Sequence, residues 1–284
     1  MRTRIITAVV AIIGITPFFW FSDVVEPTNP LNYLFPLLFM GISFVSVWEM
    51  LHCLGLDKNY VISIPLYLAA LAFPLLARVM VESMQDYVRV VVLTSLAMAV
   101  YLFASIVFQF GRVDMGKIGL LFMTSFYIIG ANSAVVVLRN TEKVGLYLVL
   151  IPFVFSWVTD SFAYFCGRAF GKHKLIEAVS PKKTVEGAIG GFIFCALTAL
   201  LYGLIIGKFT DVTPNYLVLL LGGLLIGIVS QLGDLVMSAI KRERGVKDYG
   251  TMLPGHGGLL DRFDSSMAVT VLVLIINTYF PIFS

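Results

Sequence analysis

Long runs of apolar residues alternate along the chain with short polar segments. A membrane-spanning helix needs about 20 mainly apolar residues, and about nine runs approach this length. They lie at residues 4–21, 31–51, 60–80, 87–110, 117–138, 144–167, 184–207, 215–240 and 266–283. Because the runs are continuous rather than alternating, they predict helices and not the strands of a β-barrel.

Prolines and glycines inside the runs predict local features of these helices. Pro65, Pro74 and Pro152 predict kinks in the third and sixth spans. The sixth and eighth spans are candidates for broken helices. Gly222, Gly223 and Gly227 of the eighth span predict close packing against a neighbouring helix.

Composition supports an all-α integral membrane protein. The chain of 284 residues is 59% hydrophobic and 13% charged, with mean hydropathy +0.93. Soluble domains are about 45–50% apolar and about 25% charged. We therefore expect one membrane domain over residues 1–284, with spans 1 to 5 in residues 1–143 and the catalytic spans 6 to 9 in residues 144–284.

The distribution of basic residues predicts the orientation. With a cytoplasmic N-terminus and nine spans, 15 of the 20 Lys and Arg residues fall on the cytoplasmic side. The C-terminus then lies on the opposite side, and loops 168–183 and 241–265 lie on the cytoplasmic face. The protein is expected to be multi-pass, in the cell inner membrane if it is bacterial, with the lipid bilayer and no nucleic acid as a partner.

Charge is concentrated around these two loops. Residues 156–187 and 241–264 hold 17 of the 37 charged side chains in about a fifth of the chain. Ordinary membrane loops carry a few basic residues at their ends. Dense charge of both signs at two places predicts one shared site.

Two carboxylates lie within apolar runs. Gln231, Asp234 and Ser238 share one face of the eighth span, and Asp160 lies within the sixth. A carboxylate inside a membrane span is functional by default, facing the protein interior or a wet cavity. The alternative for Asp234 is a structural ion pair with an Arg on another helix.

The segment after the eighth span combines basic residues with glycines. The basic cluster at 241–247 is also what positive-inside loops look like. Asp248 adds a carboxylate, and Gly255, Gly257 and Gly258 surround His256. Glycines let backbone N–H groups approach an anion closely, so this segment is a candidate phosphate-binding loop.

Asp261 and Asp264 are three residues apart and share a face if the last helix has begun. Carboxylate oxygens are the ligands that Mg²⁺ uses, together with substrate phosphates. The alternative is helix capping, which Asp favours. One of the two could cap; both doing so is disfavoured.

The stretch Ser180-Pro181-Lys182-Lys183-Thr184 precedes the seventh span. Ser180 or Thr184 is expected to cap that helix, and Pro181 suits its first turn. A helix N-terminus beside two lysines is a suitable anion site. Together, these features predict a polyanionic substrate and a metal at the cytoplasmic membrane surface, and a nucleoside triphosphate with Mg²⁺ fits.

The residues from Ser238 to Asp264 resemble the signature of the phosphatidate cytidylyltransferases, also called CDP-diacylglycerol synthases. They read S-x-I-K-R-x4-K-D-x-G-x2-L-P-x-H-G-G-x2-D-R-F-D, with no departure across 27 positions. The stretch SPKKTVEG resembles another element of that family, whose usual form has Trp where Val185 stands. The resemblance is strongest over residues 156–266.

The resemblance implies the reaction, the cofactors and the partners. Such enzymes transfer CMP from CTP to phosphatidic acid in phospholipid biosynthesis, giving CDP-diacylglycerol and pyrophosphate. The family implies a multi-helix membrane protein, Mg²⁺, a second cation such as K⁺, and a homodimer. Its metal-binding carboxylates map onto Asp234 and Asp261.

Within this hypothesis, Asp264, Asp160 and Asp248 are further metal candidates. The lipid phosphate is already ionised at neutral pH, so His256 is expected to contact a phosphate or shape the loop rather than act as a base. The residues expected to bind the triphosphate and the lipid head are Ser180, Lys182, Lys183, Thr184, Lys241, Arg242, Lys247, Gly257, Gly258 and Arg262.

Two other functions stay open at this point. A CTP-dependent kinase of a lipid alcohol would need the same nucleotide and metal but would release CDP. A secondary transporter would suit carboxylates within spans, although the charges cluster at one face and no internal repeat is evident. CDP-alcohol phosphotransferases are disfavoured because their D-x2-D-G-x2-A-R pattern is absent.

Overall fold

The computed structural model describes residues 30–79, 84–255 and 257–284, most of which are helical. A 3-10 turn at Pro30–Tyr33 leads into the first helix. The helices of the described ranges are α1 (Leu34–Leu54), α2 (Tyr60–Val79), α3 (Met84–Phe108), α4 (Met115–Arg139), α5 (Gly145–Phe170), α6 (Val185–Phe209), α7 (Tyr216–Glu243) and α8 (Leu260–Tyr279). The first predicted span, residues 4–21, lies outside the described residues.

Seven helices of the described ranges, α1 to α7, are long and apolar enough to cross a membrane. They coincide with predicted spans 2 to 8, so the prediction of a helical, multi-pass membrane protein is confirmed at this level. α8 stands where the ninth span was predicted, at 266–283, but it begins at Leu260. Its first turns are therefore polar, and it is not one of the seven.

The prolines do not interrupt the helices. α2 continues through Pro65 and Pro74, and α5 continues through Pro152. The expectation that the sixth and eighth spans are broken is wrong, because α5 and α7 are each assigned as one continuous helix.

A short β-hairpin interrupts the helical pattern, which the prediction of an all-α fold with a loop at 168–183 missed. β1 (Lys174–Ile176) pairs antiparallel with β2 (Ser180–Thr184). α5 also continues to Phe170, into the predicted loop. A hairpin of this size has too few residues for its alternation to stand out in a charged segment.

The hairpin leads directly into α6 through Thr184. Thr184 has an extended backbone, and its hydroxyl oxygen accepts the N–H of Gly187 at 3.1 Å. Of the two residues predicted as alternatives for the N-cap, Thr184 is the cap and Ser180 is not. Pro181 lies in β2 rather than in the first helical turn, because a proline is also compatible with a short edge strand.

The described residues form two structural units. The first combines the residues up to Val137 with Val246–Arg262, and the second combines Leu138–Gly245 with Phe263–Ser284. The segment after α7 thus belongs with the N-terminal helices. The predicted single membrane domain and its division after residue 143 stay predictions.

Glycines allow close helix packing in the second unit. A Cβ on Gly223 of α7 would lie 2.7 Å from Ala199 Cβ of α6, and one on Gly227 would lie 2.9 Å from Phe192 Cα. Real Cβ atoms do not approach other carbons so closely. The predicted packing role is confirmed for Gly223 and Gly227. It is wrong for Gly222, because a Cβ there would meet only Ile276 Cδ1 at 3.5 Å, an ordinary contact that does not require glycine.

In the first unit, α1 ends in a left-handed glycine. Gly55 has φ 68°, and its N–H donates to His52 O at 3.0 Å. The N–H of Leu56 donates to Leu51 O at 2.9 Å, which completes a Schellman-type end. The last turns of α1, which carry the buried side chain of Glu49, are therefore held in place.

Candidate active site

Three carboxylates come together in the second unit from three helices. They are Asp160 of α5, Asp234 of α7 and Asp264 of α8, and each interacts electrostatically with the other two. The hydroxyl of Ser265 donates to Asp160 Oδ2 at 3.4 Å. We call these three side chains the carboxylate cluster. The sequence singled out all three, and the fold brings them together.

Two lysines compensate part of this charge. Lys183 of β2 forms an ion pair with Asp234 through Oδ2, and the two side chains are 23% and 24% exposed. Lys241, at the end of α7, is buried and interacts electrostatically with Asp264. The two ammonium groups thus lie beside the acidic oxygens of the cluster. The alternative of an Asp234–Arg pair is replaced by a pair with a lysine.

The polar face predicted for α7 is present. Ser238 Oγ donates to Asp234 Oδ1 at 3.4 Å, which places the two residues on the same side of the helix. Gln231 uses its amide differently, donating to the carbonyl of Ala188 on α6 at 3.1 Å. Gln231 therefore fastens α7 to α6, while Ser238 supplies a second oxygen beside Asp234.

The basic residues around the hairpin are partly engaged in contacts within the chain. Arg242 donates through Nε to the carbonyl of Val179 at 3.3 Å, which joins the end of α7 to the hairpin turn. Lys182 is exposed on β2, and Ser180 of the same strand is half-buried. Lys182 of the hairpin is thus exposed to solvent, whereas Lys183 is paired with Asp234 of the carboxylate cluster.

A cavity of about 480 Å³ lies in the loop of the first unit. This volume is in the usual range of small-molecule sites, about 300–1,000 Å³. It brings together four of the residues predicted to bind substrate or metal, with several glycines and polar groups. The lining is Lys247, Asp248, Gly250, Thr251, Leu253, Gly255, Gly257 and Arg262. Two cationic side chains against the single carboxylate of Asp248 favour an anionic ligand in this cavity.

The loop closes on itself around this cavity. Leu253 N–H donates to Gly257 O at 3.0 Å, and Gly255 and Gly257 have φ of 78° and 85°. Only glycine adopts such angles without strain. His256, which the sequence placed in this loop, lies outside the described residues.

Asp261 is buried at the start of α8. Its Oδ2 accepts the N–H of Tyr249 at 2.7 Å and that of Gly258 at 3.0 Å. The bond to Gly258 is the one that an acidic residue in the first turn makes to the helix start. Asp264 does not cap the helix, because α8 has already begun at Leu260.

A family profile described as the cytidylyltransferase family matches residues 2–280, which is nearly the whole chain. The chain belongs to the cytidylyltransferase family. The matched residues include all the described helices. Among them are α1 to α4, for which the sequence motifs indicated only a general similarity to the family.

Relatives in this family match over nearly their full lengths. The phosphatidate cytidylyltransferase of Staphylococcus haemolyticus (strain JCSC1435) is 35% identical over 277 residues, 97% of this chain and 98% of the relative. That of Staphylococcus epidermidis RP62A is 34% identical over 98% of this chain and 100% of the relative. That of Staphylococcus aureus (strain COL) is 33% identical over 97% and 98%.

Sequence reasoning missed one functional candidate of this cytidylyltransferase, Glu49 of α1. Its side chain is fully buried and accepts the N–H groups of Leu259 and Leu260 at the start of α8. The sequence does contain a signal for Glu49, because it is the only acidic residue in the predicted span 31–51. A carboxylate inside a span is a functional candidate by default.

The candidate site of this family member is thus described in two parts. The carboxylate cluster lies in the second unit, while Asp261, Asp248 and the cavity lie in the first. Among the residues that the structure describes, no group of three or more His, Cys, Asp or Glu side chains is arranged to hold a metal ion. The pairing of Asp234 with Asp261 as metal ligands stays a prediction.

Proposed function

We propose that the chain transfers CMP from CTP to phosphatidic acid, giving CDP-diacylglycerol and pyrophosphate for phospholipid synthesis. The observation that carries this proposal is the set of relatives named phosphatidate cytidylyltransferase, 33–35% identical over at least 97% of the chain. A lipid-alcohol kinase and a transporter are not favoured by these relatives.

The cavity in the first unit supports a nucleotide ligand. Lys247 and Arg262 line it together with backbone that glycines leave accessible. Arg and Lys side chains make the charge-assisted hydrogen bonds that phosphate oxygens accept most strongly. We assign the triphosphate of CTP to this cavity, which Gly257 lines. Gly258, the other glycine expected to bind substrate, does not line it, because the Glu49 carboxylate fills the space beside Gly258.

The donor set fits Mg²⁺. The carboxylate cluster offers hard oxygen ligands, with the Ser238 and Ser265 hydroxyls beside them. Asp234 and Asp261 are the proposed ligands, with Asp264, Asp160 and Asp248 as further candidates and K⁺ as a proposed second cation. The chemistry that Mg²⁺ would supply is neutralisation of the charge that develops on the leaving pyrophosphate.

The remaining chemistry needs positioning rather than proton transfer. An oxygen of the lipid phosphate forms a bond to the α-phosphorus of CTP while the bond to the pyrophosphate oxygen breaks. A phosphate monoester has its second pKa near about 6, so the nucleophile is already ionised at neutral pH. We assign Lys182, Lys183, Lys241 and Arg242, with Ser180 and Thr184, to holding the phosphate groups of both substrates. His256 is proposed as a phosphate contact or as a residue that shapes the loop.

The membrane arrangement is part of the proposal. Nine spans with a cytoplasmic N-terminus and an external C-terminus would place 15 of the 20 Lys and Arg residues in the cytoplasm. The site would then open to the cytoplasm, where CTP is available. A homodimer is the proposed assembly, and its mass in detergent measures this directly.

A defined-substrate assay tests the function. Purified protein in detergent with CTP, phosphatidic acid and Mg²⁺ should release pyrophosphate and form CDP-diacylglycerol in equal amounts. A lipid-alcohol kinase would instead release CDP with a lipid alcohol as acceptor. A transporter would move substrate in vesicles without either product. Reactions lacking phosphatidic acid, and reactions with excess chelator, are the controls.

A further inference from the structure

Glu49 is a fully buried carboxylate that the mechanism above does not use. It lies in the last turns of α1, which ends at Leu54, and its side chain has no exposed surface. Leu259 N–H donates to Oε1 at 2.9 Å, and Leu260 N–H donates to Oε2 at 2.7 Å. A buried carboxylate is unfavourable unless it is hydrogen-bonded in this way.

The two N–H groups belong to the start of α8. The first N–H groups of a helix have no partner within the helix, and a negative charge near them is favourable. A residue 210 positions earlier in the chain therefore does what an N-cap side chain usually does locally. Each carboxylate oxygen takes one N–H, so the contact fixes the direction as well as the position of this turn.

Two glycines of the signature leave room for this carboxylate. A Cβ on Gly258 would lie 2.6 Å from Glu49 Oε2, and a Cβ on Gly250 would overlap Oε1. Neither glycine has a positive φ, so their backbone conformation does not require glycine. What they supply is space, and the anion that fills it is part of the chain itself.

Asp261 lies within the same contact network. It follows Leu260 directly, and its Oδ2 accepts the N–H of Gly258, the glycine that leaves room for the Glu49 carboxylate. Glu49 and Asp261 therefore hold the segment 258–261 from two sides. Any change in the Glu49 contact must move or loosen the backbone that carries Asp261.

We propose that Glu49 is a positioning residue that orients Asp261 for cation binding by capping the first turn of α8. This rests on the proposed function only in taking Asp261 as a metal ligand. Glu49 acts through the backbone of residues 258–260. An ordinary structural role would stabilise the fold without changing the cation affinity of the folded protein.

The primary test compares Glu49→Gln with the wild type by titration with Mn²⁺, which prefers the same oxygen ligands. Free Mn²⁺ is followed by electron paramagnetic resonance, without substrates and without turnover. Gln keeps the shape but turns one acceptor into a donor that faces a backbone N–H. We expect about tenfold weaker Mn²⁺ binding, in the range found when a group that orients a metal ligand is removed. The kcat should fall by a similar factor while KM for phosphatidic acid changes little.

Glu142→Gln is the matched control, because Glu142 is an exposed glutamate in the loop between α4 and α5. It should bind Mn²⁺ like the wild type. If Glu49→Gln lowers the melting temperature but leaves Mn²⁺ affinity and kcat of the folded fraction unchanged, the role is structural and the proposal is overturned. If wild-type protein releases no pyrophosphate, the proposed function fails, yet the Mn²⁺ comparison still decides the role of Glu49.

A compensating pair keeps the test decisive if Glu49→Gln does not fold. Gly258→Ala should push against the carboxylate, and Glu49→Asp should withdraw it by one methylene. The double variant should bind Mn²⁺ more tightly than Gly258→Ala alone. If the two losses simply multiply, the packing of Glu49 against Gly258 does not orient Asp261, and the proposal is overturned.

Discussion

The ammonium group of Lys183 forms an ion pair with the carboxylate of Asp234, joining β2 to the C-terminal half of α7. Both side chains are about three-quarters buried, so the pair is less screened by water than a surface pair. The Lys183 ammonium therefore neutralises the same negative charge on Asp234 that a bound metal cation would neutralise. Cation binding at Asp234 should weaken this pair and release Lys183 towards a phosphate.

Replacing Lys183 should strengthen cation binding while it lowers the turnover rate. In Lys183→Met the competing ammonium is gone, so the Mg²⁺ concentration at half-maximal rate should fall. The kcat should nevertheless drop by about 10²-fold, the size of effect seen when a group that stabilises developing charge is removed. Initial rates across a Mg²⁺ series measure both quantities.

The matched control is Lys208→Met, which removes an exposed lysine near the other end of α6. Its Mg²⁺ dependence should equal that of the wild type. A higher Mg²⁺ requirement in Lys183→Met would mean that Lys183 supports the cation rather than competing with it.

Asp261→Asn should abolish activity and leave the fold intact. The N–H groups of Tyr249 and Gly258 both donate to Oδ2 of Asp261, so the carbonyl oxygen of Asn can keep these two bonds. The loss of charge should lower kcat by at least about 10²-fold, as expected for a ligand that neutralises developing charge. Pyrophosphate release and the melting temperature are the two measurements.

Asp114→Asn is the control for this substitution. Asp114 also accepts a backbone N–H near a helix start, from Lys117 at 3.1 Å, but it carries no proposed role in the site. Its activity should match the wild type. Near-normal turnover in Asp261→Asn would remove Asp261 from the metal role.

Two kinds of feature could be predicted from the sequence alone. These are the apolar runs that recur along the chain and the carboxylates that lie in or beside them. Continuous apolar runs predicted the helices α1 to α7, because burying a backbone in lipid leaves few alternatives to a helix. Asp160 and Asp234 were identified because a carboxylate within an apolar run is unfavourable without a purpose. Asp264 was identified by its spacing from Asp261, which suits two carboxylate ligands of Mg²⁺. Their electrostatic proximity confirms that they lie close together.

Two features were missed, one because its strands are too short and one because its contact is long-range. The hairpin at 174–184 was missed because a few strand residues have no periodicity to detect in a charged segment. Gly258 was interpreted as room for a phosphate, yet the structure fills this room with the carboxylate of Glu49. No local pattern could reveal a partner 210 positions away.

Arg262 is expected to hold CTP through the cavity. In Arg262→Gln a charge-assisted hydrogen bond to phosphate is lost, and such bonds contribute about 1.5–3 kcal/mol. The KM for CTP should therefore rise about 10- to 100-fold, while KM for phosphatidic acid changes less. Steady-state kinetics with each substrate varied in turn provide the measurement. Lys58→Gln, an exposed lysine outside the cavity lining, should leave both constants unchanged.

Adjacent glycines of α7 provide a matched test of the packing between α6 and α7. A methyl group on Gly223 would lie 2.7 Å from Ala199 Cβ and 3.0 Å from Ala196 Cα, whereas one on Gly222 would meet only Ile276 Cδ1 at 3.5 Å. Overpacking destabilises by about 1–3 kcal/mol, and Ala gains about 0.8–1 kcal/mol over Gly within a helix.

The two substitutions should therefore shift thermal stability in opposite directions. Gly223→Ala should lower the melting temperature by several degrees, because the overpacking exceeds the gain in helix propensity. Gly222→Ala should leave it unchanged or raise it, since its methyl group makes an ordinary contact. Thermal unfolding in one detergent, followed by circular dichroism, measures both variants. Equal stability of Gly223→Ala and the wild type would mean that α6 and α7 can separate to admit a methyl group.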